Sequence, residues 1–440
     1  LTAHQHVSVD DAADRLLARL HRPARLLVAM SGGSDSTGLL VALARRRVAG
    51  VEVFAVTVDH GLRPESAREA EQAANLCRGL GIGHATRRWI GDKPSTGIAA
   101  AAREARYGLL CAEADELDAT AILTGHTLDD QIETVMMRAA RRCDPNAPGL
   151  AGMADAVLLH RRHWLLRPFL QTAREAIRDY LRAAGHGWIE DPSNINPASE
   201  RARTRMALAG SSPLSLSEIE AAACERTRLA DAAAAWLDRH AQVRRGVLMH
   251  VAPEGLHGDP AVLRYALSTS AAVLGGREQG PSTDVIERVV RACRAPATWR
   301  MTAGRVVFDG RRSGLYLCRE ARDLPPLAVT ADTAVLWDGR FRIGAGLVSE
   351  ALSVPPIRRE AAMDLFPGVP SSIAMRAAGS LPPCCCSTEG HSRGLACTPI
   401  LAPFDRFLPQ FDYNLASTLT KLIGCDDFPA VPFADSVRKR

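Results

Sequence analysis

No stretch of the 440-residue chain is long and apolar enough to span a bilayer, which excludes a helical membrane anchor within it. Leu1 to Asp10 lacks a basic region followed by an apolar segment, so no secretory signal is expected and a cytoplasmic location is. The eleven cysteines include no Cys-x-x-Cys pair, which argues against a disulfide framework and for reduced thiols. Cys384, Cys385 and Cys386 are adjacent, and neighbours of that kind do not easily converge on one tetrahedral ion, so the cluster reads as a thiol-bearing loop. No internal repeat is visible. The net charge of +5 is modest, so binding of a polyanion has to be argued from where arginines cluster. The length predicts two or three domains, and 47% hydrophobic content supports genuine cores.

The stretch around which the rest is organised is Met30-Ser31-Gly32-Gly33-Ser34-Asp35-Ser36-Thr37. Leu26 to Met30 is an apolar run suited to a buried parallel strand, and Thr37 to Arg47 has helical periodicity. Two adjacent glycines permit a tight turn between them, after which backbone amides can face an anion at the helix N-terminus. The hydroxyls of Ser31, Ser34, Ser36 and Thr37 add further donors for phosphate oxygens. Asp35 does not suit a simple anion nest, and its carboxylate is expected to meet a metal ion or to cap the helix. A conventional P-loop is excluded, because Leu39 and Leu40 stand where that motif needs Lys and Ser or Thr.

Further along, β-branched and apolar runs alternate with amphipathic segments. Strands are predicted at 51–59, 84–90 and 120–124, and helices at 65–80 and 98–117, which together give a doubly wound, mostly parallel α/β sheet. In such sheets ligands sit beyond the carboxyl ends of the strands, so Asp59-His60 and Gly125 to Thr134 should lie beside the first loop. For Asp59 and His60 a plain turn before a helix cap is an equal reading. Asp129, Asp130 and Glu133 crowd the first turns of a predicted helix, with Asp129 and Glu133 four apart on one face and His126 just before them. The run 157–169 fits a strand pair with a basic turn, followed by a helix over 172–184 capped by Thr172 and Glu175. Tyr107 reads as a core-edge residue beside Arg103, and Trp188 as a core residue. Arg201, Arg203 and Arg205 alternate in a way that suits the phosphates of RNA. A helix over 215–240 is expected to lead to helices at 260–274 and 283–293. After these come a hairpin over 299–317 turning at Asp309-Gly310 and a strand pair about Asp338-Gly339.

Ser31-Gly32-Gly33-Ser34-Asp35-Ser36 resembles the SGGxDS pyrophosphate loop of the N-type ATP pyrophosphatases, the PP-loop enzymes. Within that superfamily several blocks in order resemble the bacterial tRNA(Ile)-lysidine synthetases. They are Val58-Asp59-His60-Gly61-Leu62-Arg63, Ala102-Arg103 with Arg106-Tyr107, Gly125-His126 with Asp129-Asp130-Gln131 and Glu133-Thr134, Gly149-Leu150-Ala151-Gly152-Met153, Arg167-Pro168-Phe169-Leu170, and Trp188 with Glu190-Asp191-Pro192-Ser193-Asn194. They cover the first half of the chain. The sequence departs from the family at Arg141-Arg142-Cys143-Asp144-Pro145 and at Arg201-Ala202, positions that bear on RNA contacts more than on ATP chemistry.

The resemblance implies an adenine nucleotide α-hydrolase-like catalytic domain over 1–212, a helical linker with a tRNA-binding α+β domain over 213–323, and a weakly defined region over 324–440. It implies ATP-dependent attachment of L-lysine to the wobble cytidine of the CAU anticodon of tRNA(Ile). In that reading Ser31, Gly32, Gly33, Ser34, Asp35 and Ser36 bind ATP, and Asp35 and Asp129 hold Mg²⁺. Asp130 and Glu133 bind lysine, Arg201, Arg203 and Arg205 bind tRNA, and Asp35, Asp129, Asp130 and His126 take part in catalysis. No membrane partner is expected, and a homodimer is left open. Two rivals remain: another PP-loop tRNA-modifying enzyme such as a thiolase, and a module that binds nucleotide or RNA without catalysis. Against the first, no convergent cysteines for an iron-sulfur cluster occur before residue 200; against the second, acidic residues add little to simple ATP binding.

Overall fold

A computed structural model describes residues 7–140, 148–190, 215–295, 297–329, 333–344, 353–354, 356–385 and 395–433. Arg201, Arg203, Arg205, Cys386, the Asp191 to Asn194 block and the Arg141 to Pro145 departure lie outside them. The chain divides into two compact units, Leu1–Arg226 with Pro429–Arg440, and Thr227–Phe428.

In the first unit the helix α1 (Val9–Arg19) precedes alternating strands and helices: β1 (Ala24–Ala29), α2 (Ser34–Ala44), β2 (Val51–Asp59), α3 (Ser66–Gly79), β3 (Gly83–Arg88), α4 (Ile98–Glu116), β4 (Ala121–Leu123) and α5 (Leu128–Ala140). Then come β5 (Ala156–Leu159), β6 (His163–Leu166) and α6 (Arg174–Ala183). The strands lie in the order β5-β6-β4-β1-β2-β3, parallel except for β5, which pairs antiparallel with β6. The central strands are apolar because both faces are covered: Leu26, Leu27, Val28, Ile122 and Leu123 are fully buried. The chain winds outward from β1 in one direction through β2 and β3, then returns to β4 on the other side. That reversal opens a crevice at the carboxyl ends of β1 and β4, the place where such sheets hold ligands. The doubly wound α/β expectation is met.

Two local expectations are not. Thr172 does not cap the helix after β6: its Oγ1 finds no partner, and Glu175 pairs instead with Arg182 at 2.9 Å and Arg178 at 3.7 Å. The cap comes from elsewhere in the chain, as described below. Trp188 is half-buried rather than in the core. Its Nε1 donates to Glu190 Oε1 (2.8 Å), and the Arg178 and Arg182 guanidinium groups lie 6.0 and 5.7 Å from its ring centroid. Tyr107 is buried as expected, with Arg103 4.9 Å from its ring centroid. The basic turn between β5 and β6 is also as expected, with His160 and Arg161 at positive φ.

In the second unit a five-stranded antiparallel sheet has the order β7-β8-β11-β10-β9, formed by Ala241–Arg244, Leu248–Val251, Gly314–Arg319, Val306–Arg311 and Trp299–Ala303. The expected hairpin turn at Asp309-Gly310 is misplaced. Both residues lie inside β10, and the turns fall on either side of it. Asp309 is buried between Arg311 and Arg376, and Gly310 leaves room for Trp299, whose Nε1 would lie 2.4 Å from a Cβ there. Strand β12 (Val335–Trp337) does pair with β13 (Phe341–Ile343) across Asp338-Gly339, and β14 (Cys397–Pro399) joins β13. The Asp338 carboxylate is enclosed by Arg305, Arg319 and Arg340. One apolar core runs through Val247, Tyr316, Trp337, Phe366, Ile373 and Leu395. Among the described residues no helix is long and apolar enough to cross a membrane.

Candidate active site

Three neighbouring β-to-α junctions meet at the crevice: β1 to α2, β4 to α5 and β6 to α6. In the first, Gly32 has φ +83°, and a Cβ there would lie 2.5 Å from Ile189 Cδ1. The Gly32 carbonyl accepts from Ile189 N at 2.8 Å, so the glycine turn is closed by the segment after α6. Gly33 is the N-cap of α2 without a side-chain cap, which leaves the first amides of α2 without carbonyl partners in the helix. The loop hydroxyls bond within the loop itself. Ser36 Oγ donates to Gly33 O (3.2 Å) and Thr37 Oγ1 to Gly32 O (3.3 Å), while Ser36 Oγ also accepts from Ser31 N (3.1 Å). These two side chains brace the loop from beneath, and Ser34 Oγ donates to Asp35 Oδ1 (2.8 Å). An anion at this helix N-terminus meets the backbone amides and the exposed Ser31, whose Oγ lies 3.0 Å from Ser36 Oγ within the loop.

The second junction crosses the first at close range. A Cβ on Gly125 would sit 2.7 Å from the Asp35 carbonyl carbon and oxygen, so only glycine lets the two loops touch. Beyond it, Thr127 and Asp130 form a capping box at the start of α5. Asp130 Oδ2 accepts from Thr127 N (2.9 Å) and Oγ1 (3.0 Å). His126 Nδ1 bonds Thr124 Oγ1 at 2.9 Å. Gln131 makes a two-way link to Met153, accepting from its amide at 2.6 Å and donating to its carbonyl at 3.0 Å. A Cβ on Gly152 would meet Gln131 Oε1 at 2.5 Å, which ties the Gly149 to Met153 block to the carboxylate helix.

The third junction supplies the residue that sequence reasoning missed. Arg174 is the first residue of α6, and its guanidinium reaches Asp35 Oδ2 (3.1 Å), Asp130 Oδ1 (3.1 Å) and Glu133 Oε1 (3.9 Å). Its backbone amide donates to Asp129 Oδ2 at 2.8 Å, so Asp129 provides the N-terminal cap that Thr172 does not. All four carboxylates singled out in the sequence are thereby gathered around one arginine. A cation in the first turn of a helix opposes the helix dipole, and that placement was the available signal. Burial works against the charge on Arg174, but Asp130, Asp35 and Asp129 outweigh it and raise its pKa above the ordinary value. Burial also raises the Asp35 carboxyl above its usual range, against the pull of Arg174.

Asp59 and His60 close the side toward β3. Asp59 Oδ1 accepts from Gly61 N at 2.7 Å, and Arg88 stands 3.6 Å from Oδ2. His60 packs edge-on against Trp89 with ring centroids 6.1 Å apart. Burial first, and then the charge of Arg106, lower its pKa against the opposing effect of Asp59, so the ring is held toward its neutral form.

Carboxylate oxygens are hard donors of the kind Mg²⁺ takes. Asp35 and Asp129 come to opposite parts of the same arginine, but among the described residues the carboxylates do not close into a cage of three or more ligands.

Residues 6–211 match the PP-loop domain family. The whole chain is similar to the tRNA(Ile)-lysidine synthase of Rhizobium meliloti (strain 1021), with 44% identity over 97% of this chain and 98% of that protein. It is 41% identical to the tRNA(Ile)-lysidine synthase of Mesorhizobium japonicum, over 96% of this chain and 97% of that one. The enzyme of the same name from Brucella anthropi is 38% identical over 75% of this chain and 76% of its own.

Proposed function

The chain belongs to the tRNA(Ile)-lysidine synthase family of PP-loop proteins, and from that membership we propose how the residues around Arg174 divide its reaction. The enzyme ligates lysine to C2 of the wobble cytidine in the CAU anticodon of tRNA(Ile), using ATP. The cytidine O2 attacks the α-phosphate, giving an adenylated base and pyrophosphate. The ε-amine of L-lysine then attacks C2 and AMP departs.

In this reading the amides from Gly32 to Ser36, with the Ser31 hydroxyl, hold the two outer phosphates and leave the α-phosphorus open to the base. Asp35 and Asp129 would hold Mg²⁺, which supplies charge neutralisation on the triphosphate. Asp130 and Glu133 receive the lysine ammonium, and one of the two takes its proton before attack. Arg174 is a positioning residue. It keeps the carboxylates of two chain segments from repelling each other while the site is empty of substrate.

His126 stands at the same junction and serves as a phosphate contact or acid-base group. Arg201, Arg203 and Arg205 bind tRNA phosphates, and the second unit supplies further tRNA contacts.

The observation that carries the reading is the joining of the SGGxDS loop to the acidic helix through one arginine at the point where strand order reverses. The test mixes purified protein with labelled lysine, ATP and a tRNA(Ile) transcript bearing the CAU anticodon. Label should enter the RNA with release of AMP and pyrophosphate, and be lost in Asp35→Ala and Asp130→Ala. Formation of ADP, or label entering RNA at the full rate in both variants, would overturn it.

A further inference from the structure

The second unit holds a cluster that the reaction does not use. Cys384 and Cys385 lie in the short turn Pro383–Cys385, fixed by a hydrogen bond from Cys385 N to Pro382 O at 2.8 Å. Cys397 opens β14, whose register sets it opposite Ile343 of β13. The three sulfur atoms all lie within 4.8 Å of one another, with Cys384 Sγ and Cys385 Sγ 3.8 Å apart. The sequence-based objection to a metal was that adjacent cysteines do not converge. Here they do, because the tight turn aims both side chains at a third thiol on a separate strand.

We propose that Cys384, Cys385 and Cys397 bind a zinc ion through their three thiolates, the ligands found among the described residues. Tetrahedral zinc with bonds of about 2.3 Å sets its sulfur ligands about 3.8 Å apart, which is the separation between the two adjacent sulfurs. A disulfide accounts for the group less well. Its sulfurs stand about 2.05 Å apart, and pairing two of three thiols leaves one over. Cys384 is buried at the margin of the apolar core, while Cys385 and Cys397 are half-buried, so an ion has a route in and a largely dry seat. Three thiolates on one divalent ion carry a net negative charge. Arg245 stands close enough to Cys385 to offset it electrostatically, its Nε donating to Leu365 O at 3.3 Å. Zinc here would tie the Pro383–Cys385 turn to the edge of the three-stranded sheet.

The full chain, purified without chelator, should carry about one zinc per molecule by elemental analysis, as a single site of this ligand type predicts. Cys384→Ser and Cys397→Ser should lower zinc affinity, read by competition with a chelator, at least about tenfold, since even changes outside the ligand shell cost about 10–100-fold in metal affinity. Cys224→Ser, at an exposed thiol in the helix Leu216–His240, should leave it unchanged. A variant that fails to fold would not decide the matter, so the metal-stripped wild type is also titrated with cobalt(II). A thiolate-to-cobalt charge-transfer band that zinc displaces supports the site. Absence of both zinc and the cobalt band in the wild type would overturn the proposal. So would zinc retained in both ligand variants, or mass spectrometry finding two of the three thiols joined as a disulfide.

Discussion

Replacing Arg174 by alanine tests the centre of the site most directly. The guanidinium is 17% exposed and its carboxylate partners on Asp35, Asp130 and Glu133 are 24%, 12% and 2% exposed, so solvent screens these pairs weakly. Removing one partner of a buried ion pair costs about 3–5 kcal/mol, because the remaining charge keeps its desolvation penalty without its counter-charge. Because three carboxylates lose a shared partner at once, Arg174→Ala belongs at the upper end of that range. Arg174→Lys keeps the charge but cannot present a planar fork to Asp35 and Asp130 together. It should lose about one charged hydrogen bond, about 1.5–3 kcal/mol.

Urea unfolding of the two variants, with and without ATP, measures the loss, and a double-mutant cycle with Asp130→Asn isolates the pair. The pH profile gives a second reading that a general loss of packing would not move. Burial has already raised the Asp35 carboxyl, and Arg174 is the charged group that opposes this. Its removal should shift the acid limb of kcat/KM to higher pH, with Arg174→Lys lying between. Arg174→Ala within about 0.5 kcal/mol of wild type, the range of an ordinary surface substitution, together with an unmoved acid limb, would refute the reasoning.

Gly125→Ala should act through the backbone alone. Its Cβ would lie 2.7 Å from the Asp35 carbonyl, so the β1-to-α2 loop has to shift. ATP affinity measured by equilibrium dialysis should fall while overall stability drops by about 1–3 kcal/mol, the usual cost of overpacking; unchanged affinity would show that the two junctions are not coupled. Asp59 should govern stability in acid. Burial alone would raise its carboxyl, but Ser66, the Gly61 amide and the charge of Arg88 outweigh that and hold it below 3.8. The native state then resists a proton that the unfolded chain accepts, so this contribution is complete above 3.8 and is lost as pH falls through the lower folded value. Melting temperature against pH should be flatter below about pH 4 in Asp59→Asn than in the wild type; parallel curves would remove Asp59 from acid unfolding.

The parts of this protein fixed by short-range chemistry were open to reading from residues alone. Apolar strands, glycine turns and carboxylates at helix starts each draw on a few neighbours. From these follow the alternating α/β order, the glycine loop after β1 and the acidic start of α5. A strand end also predicts where a ligand sits, so the meeting of Ser31 to Ser36 with Gly125 to Glu133 follows from the residues alone.

What escaped the sequence depends on partners remote in the chain. Thr172 and Glu175 have the spacing of a cap, yet Asp129 reaches α6 first because β4 and β6 are adjacent strands. Asp309-Gly310 has the composition of a turn, but arginines and Trp299 make it an interior strand pair. Only the meeting of three junctions sets four acids around Arg174. Cys397 likewise joins Cys384 and Cys385 only through the pairing of β13 with β14. Charge and thiol chemistry act over a few ångströms of space, whatever the distance along the chain, and only the folded sheet sets which groups come that close.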